Sequence, residues 1–164
     1  VVTAKVKGKT LKCKVIVTKK QAAKKNAKTA GKKNTTSDIS LQKKVISIVN
    51  KNRKKKGLEA LTMDEKLMKA AQDRAKELTK SFSHTRPNGT SCFTIFEKYK
   101  ITPTASGENI AAGQRSAAAV MDSWMNSPGH KENIMNNRFK KIGVGLVIVP
   151  NDMYSYYWVQ MFTE

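Results

Sequence analysis

Residues 142–149 read Ile-Gly-Val-Gly-Leu-Val-Ile-Val, and no other stretch limits the possible folds as strongly. Ile142, Val144, Leu146 and Ile148 alternate with Gly143, Gly145, Val147 and Val149, so both faces of one strand are apolar or glycine. A strand without a polar face has to be covered on both sides, which calls for a sheet held between helical layers. Pro150-Asn151-Asp152-Met153 then turns the chain into a second strand, Tyr154 to Phe162, and gives an antiparallel hairpin. The expected fold class is therefore α/β: a three-layer α/β/α sandwich with a central antiparallel sheet.

The helices that cover this sheet are legible upstream. From Ser37 the period is helical, with Leu41, Val45, Ile48 and Val49 on one face, Ser37 or Asp38 available as cap, and Lys54-Lys55-Lys56 before Gly57 at the C-terminal end. Thr62-Met63-Asp64-Glu65 reads as a capping box opening a second helix to about Lys80, with Leu67, Ala70, Ala71, Ala75 and Leu78 inward. Thr90 or Ser91 opens a short helix carrying Phe93, Phe96 and Tyr99. Ser116 opens another with Ala117, Val120, Met121 and Trp124 inward, and Ser127-Pro128 caps a last one that holds His130 in its first turn.

The chain before residue 38 is different in kind. Phe82 is the first aromatic residue, so the core has to come from the later part of the chain. Residues 1–17 alternate apolar and polar positions around Lys7-Gly8-Lys9-Thr10, a β-hairpin signal. A lone hairpin is marginal in water, and these residues resemble the closing strands of a bacterial group 2 immunoglobulin-like domain. Residues 18–37 form a Lys-rich linker without hydrophobic period, and the domain proper is expected over 38–164. Residues 1–37 carry twelve Lys and no acidic residue, so this head suits an anionic cell-wall or membrane polymer. It has no Arg and no aromatic residue with which to fork or stack on bases, which argues against specific nucleic-acid binding. No apolar run approaches the ~20 residues of a transmembrane helix. The chain starts Val1-Val2-Thr3 and is read as a piece of a longer precursor. Cys13 and Cys92 show no metal-type spacing; Cys92 is expected as a small buried residue, with a disulfide between the two as the alternative.

Chemistry concentrates in three segments. The two histidines are His84, in the turn leaving the second helix, and His130; Glu108 lies between them in Gly107-Glu108-Asn109-Ile110-Ala111. Two imidazoles and a carboxylate are the donor set of a zinc site with an open fourth position, although spacing alone does not bring them together. A Gly-rich phosphate loop, a serine elbow and a Cys/His nucleophile pair are all missing, so covalent catalysis lacks its residues.

Ser83-His84-Thr85-Arg86-Pro87-Asn88-Gly89, Gly107 to Ala111, Trp124 to Ile134, Ile142-Gly143-Val144-Gly145 and Tyr157-Trp158-Val159-Gln160 resemble, in order, the motifs of the CAP superfamily, also called SCP-like, in its secreted bacterial branch. The resemblance covers roughly residues 38–164. It implies an α/β/α sandwich with a central cleft, an extracellular, secreted or surface-attached location, and a cleft tetrad of two His and two Glu that binds a divalent metal such as zinc in several members. By position, His84 and His130 match the imidazoles and Glu108 the first carboxylate, while Ser127 stands where the second carboxylate is usual. Asn109 and Gln160 are further cleft candidates, against ordinary hydrogen bonding inside the sheet.

From this set the expected metal ligands are His84 and His130, with Glu108 either as a third ligand or as the group that orients a His ring. The expected function is a monomeric extracellular binding module for a lipid, sterol or protein. The alternative is a metal-dependent hydrolase in which Glu108 serves as base.

Overall fold

The computed structural model describes residues 2–6, 9–13 and 37–164. Strands β1 (Val2–Val6) and β2 (Lys9–Cys13) pair antiparallel, Val2 opposite Cys13 and Val6 opposite Lys9. The hairpin register thus follows the alternation; residues 14–17, the end of the segment likened to an immunoglobulin-like domain, lie outside the described residues. The linker 18–36 and the Cys13 side chain lie outside the described residues; Cys92 is a buried free cysteine.

The domain runs α1 (Ile39–Lys54), β3 (Thr62–Met63), α2 (Glu65–Leu78), a 3-10 turn (Cys92–Thr94), α3 (Ile95–Lys98), β4 (Ser106–Ala112), α4 (Ala117–Met125), α5 (Pro128–Met135), β5 (Lys141–Ile148) and β6 (Tyr156–Thr163). The four-stranded sheet has the order β3-β5-β6-β4. Its β4–β6 and β5–β6 pairs are antiparallel, as expected, but Thr62–Met63 adds a short parallel pair with Lys141 and Ile142. Thr62 is therefore strand rather than helix cap: Asp64 caps α2, accepting from the Leu67 amide. Strand β4 had not been expected. Ser-Gly-Glu-Asn-Ile-Ala-Ala is nearly free of β-branched residues and carries two polar side chains in its centre, so propensity hides it.

Helix α2 covers one face of the sheet, and α1, α4 and α5 cover the other, giving the three layers. Trp124, Trp158, Phe162 and Leu146 fill the core on the α1 side, and Leu67, Ala71, Val159 and Met161 fill it on the α2 side. Beyond the short β3, the open edge of β5 is closed by α2 itself. Gln72 donates to the Leu146 carbonyl (2.9 Å) and accepts from the Leu146 amide (3.1 Å), which blunts that edge. A buried Arg53 ties the C-terminal end of α1 to the chain leaving α5, donating to the carbonyls of Glu59 (2.7 Å), Ile134 (2.8 Å) and Asn136 (2.9 Å). Asp38 caps α1, Ser91 the 3-10 turn and Ser116 α4, as the sequence led us to expect. Ser127 takes the cap position of α5, with Pro128 behind it, without a side-chain cap bond.

Candidate functional site

Strand β4 lies at the sheet edge, and the three chemistry-bearing segments meet around it. Alternation along β4 sends Glu108 and Ile110 toward α2, and Asn109 and Ala111 toward α4 and α5.

On the α2 side Glu108 is buried and ion-paired. Arg74 Nε donates to its Oε2 at 2.9 Å, Arg74 Nη2 lies 3.5 Å from its Oε1, and His84 Nδ1 lies 2.8 Å from that same oxygen. Arg74, with no exposed surface, also donates to Glu77 Oε2 (2.6 Å) and the Ser83 carbonyl (3.0 Å). Arg86 closes the chain on Glu77 (2.8 Å), so imidazole, carboxylate, guanidinium, carboxylate and guanidinium follow one another from His84 to Arg86. Burial alone would lower the Arg74 pKa, but Glu108 and Glu77 override it and hold the guanidinium charged. The Cys92 thiol also touches His84; burial pushes it up, with the Glu108 charge adding to the rise.

On the other side lies a network of amides. Asn109 Nδ2 donates to the His130 carbonyl (3.0 Å) and to Gln160 Oε1 (3.0 Å), while Asn133 donates to Asn109 Oδ1 (2.8 Å). Gln160 Nε2 turns to Met121 Sδ (3.4 Å). Asn109 and Gln160 are completely buried and occupied with holding α5 and α4 to the sheet, so their geometry is that of internal satisfaction. Ser127 is likewise buried, at the start of α5. His130 is buried and lines a cavity of about 10 Å³ with Phe82, Ile110, Gln114, Ser123 and Trp124, and Trp124 Nε1 anchors α4 to the Ile110 carbonyl (3.3 Å).

The donor atoms of His84, Cys92 and Glu108 lie within 4.8 Å of one another, and among the described residues this is the group whose spacing suits a metal; His130 is outside it. That set does not fit a resident divalent ion. The carboxylate is already paired with Arg74, so an ion there would face a guanidinium within hydrogen-bond distance of its ligand. What Glu108 does fit is the orienting role: through Nδ1 it fixes the tautomer and angle of His84.

Arg74, Glu77, Cys92 and Phe82 had not been picked out from the sequence as site residues. For Arg74 the signal was available: it sits four residues after Ala70 and four before Leu78, an inward position for a charge in an otherwise apolar stripe. Arg53, four residues after Val49, carries the same mark on α1.

The carboxylates around this network set the acid response of the domain. Burial would raise Glu77, but hydrogen bonds from Arg86 and Arg74 hold it below the usual carboxylate range. Burial acts on Asp73 in the same direction and is overridden by Lys98, Tyr99 and Lys76. Both groups are depressed in the folded state. Their contribution is therefore full above the unfolded values near ~4 and is lost as pH falls through the folded ones. Urea denaturation should show a flat midpoint from pH 7 to about 5 and a steep fall below ~4, and Glu77→Gln should flatten that fall. A midpoint that declines steadily from pH 7 would contradict this assignment.

Comparisons with known proteins agree on one family. The description "CAP: Cysteine-rich secretory protein family" matches residues 46–162. The Bacillus subtilis protein YkwD is 39% identical over 126 residues, 73% of this chain and 49% of its own length. A Borreliella burgdorferi protein is 32% identical over 120 residues, covering 72% of this chain and 74% of the relative. The chain thus spans about half of YkwD, and 31% of the Bacillus subtilis membrane protein YlbC. Among solved structures, an outer surface protein of Borrelia burgdorferi superposes with a TM-score of 0.73 at 27% identity, over 81% of this chain and 98% of that one. A Bacillus anthracis extracellular protein containing an SCP domain gives 0.68 at 26%, over 77% and 41%. Family match, relatives and fold converge, and the chain belongs to the CAP family.

Proposed function

We propose that this domain is an extracellular or cell-surface binding module that grips a protein partner at the cleft beside β4, where Phe82 and His130 line the cavity. Two solved relatives are described as extracellular and as an outer surface protein, which supports the location. No helix among the described residues is long and apolar enough to cross a membrane. The observation that carries the reading is the commitment of Glu108: the buried carboxylate is ion-paired to Arg74 through Oε2 and lies against His84 Nδ1 through Oε1, so it is held inside the fold rather than presented to a substrate. A hydrolase would need that carboxylate as its base. The cavity beside His130 combines apolar walls with a few polar groups, as recognition sites do, but its volume is that of about one water. A lipid tail or sterol has no preformed room there, whereas a side chain from a docking protein can open the rim between Phe82 and Ser123.

The test places a photo-crosslinking residue at position 82 and exposes the chain to the native cell surface. A protein adduct is expected that excess unmodified chain suppresses and that Ser123→Trp, which blocks the rim, abolishes. Adducts formed with lipid extract alone would overturn the protein reading. Turnover of a peptide, ester or glycan by zinc-loaded protein, lost in Glu108→Gln, would overturn the non-enzymatic one.

A further inference from the structure

We infer that the outer face of α1 is a docking surface for a flexible, base-free phosphodiester polymer, distinct from the cleft and independent of what the cleft binds. At about 100° per residue, Lys43, Lys44, Lys51, Lys54 and Lys55 fall within an arc of about 120°, opposite the buried arc of Gln42, Val45, Ile46, Val49 and Arg53. All five are exposed, none forms an ion pair among the described residues, and α1 contains no acidic residue between Ile39 and Lys54. Helix α2 is mixed: Lys76 is held by Asp73 and Arg74 by Glu77 and Glu108, while Lys66 and Lys69 are exposed beside Glu65 and Asp73 of the same helix. Five unneutralised cations gathered on one helical arc, with no acid among them, make a concentrated local field.

The spacing suits a repeating anion. Lys43 to Lys55 spans about 18 Å along the axis at ~1.5 Å per residue, room for several successive phosphates. Ser47 is exposed on the same arc and offers a hydroxyl donor between Lys44 and Lys51. The chemistry also selects among polyanions. The arc has neither aromatic residue nor exposed Arg to stack or fork on bases, which disfavours nucleic acid. Of the large exposed hydrophobic residues only Ile39 lies on α1, at its first turn and outside the arc, so the face lacks the apolar side that a bilayer-embedded helix inserts.

The experiment measures binding of the whole chain to poly(glycerol phosphate) across a salt series. Two variants with the same net charge are compared: Lys43, Lys44, Lys51, Lys54 and Lys55 all changed to Gln, and Lys66, Lys69, Lys80, Lys100 and Lys131 all changed to Gln. The first should weaken binding by about tenfold or more and flatten its salt dependence, and the second by less than about threefold. Equal losses in both variants, or none in the first, would overturn the assignment to α1. Single-stranded DNA or anionic vesicles bound as tightly as the polymer, with the same loss in the first variant, would overturn the choice of partner. Cleft adducts should be unaffected in either variant.

Discussion

Gly145→Ala is expected to cost the domain about 3 kcal/mol or more and to lower its Tm by roughly 10 °C. A Cβ built on Gly145 would lie 2.1 Å from the Ala71 carbonyl oxygen and 2.3 Å from its carbon, and one on Gly143 would lie 2.2 Å from the Leu67 carbonyl carbon. These are backbone atoms of α2, so no rotamer change relieves the overlap. The helix would have to lift by more than 1 Å along its contact with β5, against ordinary contact near ~3.5 Å. Lifting it stretches both Gln72 bonds to Leu146 and pulls Arg74 away from Glu108, so packing loss and electrostatic loss add. A domain with a total stability of about 5–15 kcal/mol has little reserve against that. Thermal and urea unfolding of Gly145→Ala and Gly143→Ala decide it; a Tm within a couple of degrees of the parent would show that α2 sits farther from the sheet than 2.1 Å implies.

The same two glycines explain why the architecture was legible and the site only in part. Alternation of glycine with Ile, Val and Leu in β5 demanded cover on both faces, and α2 approaches because those glycines carry no side chain. The apolar stripes of α1, α2 and α4 were periodic enough to place the two layers of helix. Strand β4 was not, because its middle residues serve contacts from other elements: Glu108 answers α2 and His84, and Asn109 answers α5 and β6. Residues chosen for partners far along the chain break the local pattern by which a strand is recognised. His84 and Glu108, paired by family likeness, are in contact, and His130 reaches the cavity it shares with Phe82 from α5, an arrangement that no spacing in the sequence encodes.

Arg74→Met should destabilise the protein by about 3–5 kcal/mol at neutral pH, because it strands Glu108 rather than because it removes favourable contacts. The Glu108 side chain is 1% exposed, and without the guanidinium its charge has only His84 beside it. Glu77 retains Arg86, so that end of the chain of charges stays compensated. The cost of burying a carboxylate without its counter-charge falls on the ionised form alone, so the penalty is largest at neutral pH and shrinks on acidification. The gap between variant and parent in urea midpoint should therefore narrow on acidification, opposite to the effect of losing a carboxylate pair. Adding Glu108→Leu to Arg74→Met should recover most of the loss at neutral pH, since two matched apolar groups need no counter-charge. That double variant also releases the His84 ring from its Nδ1 contact, so it should fold well and yet lose cleft adducts. A fold that recovers without loss of binding would mean that Glu108 serves stability alone. A double variant no more stable than the single one would mean that the cost lies in packing around Arg74 and not in its charge.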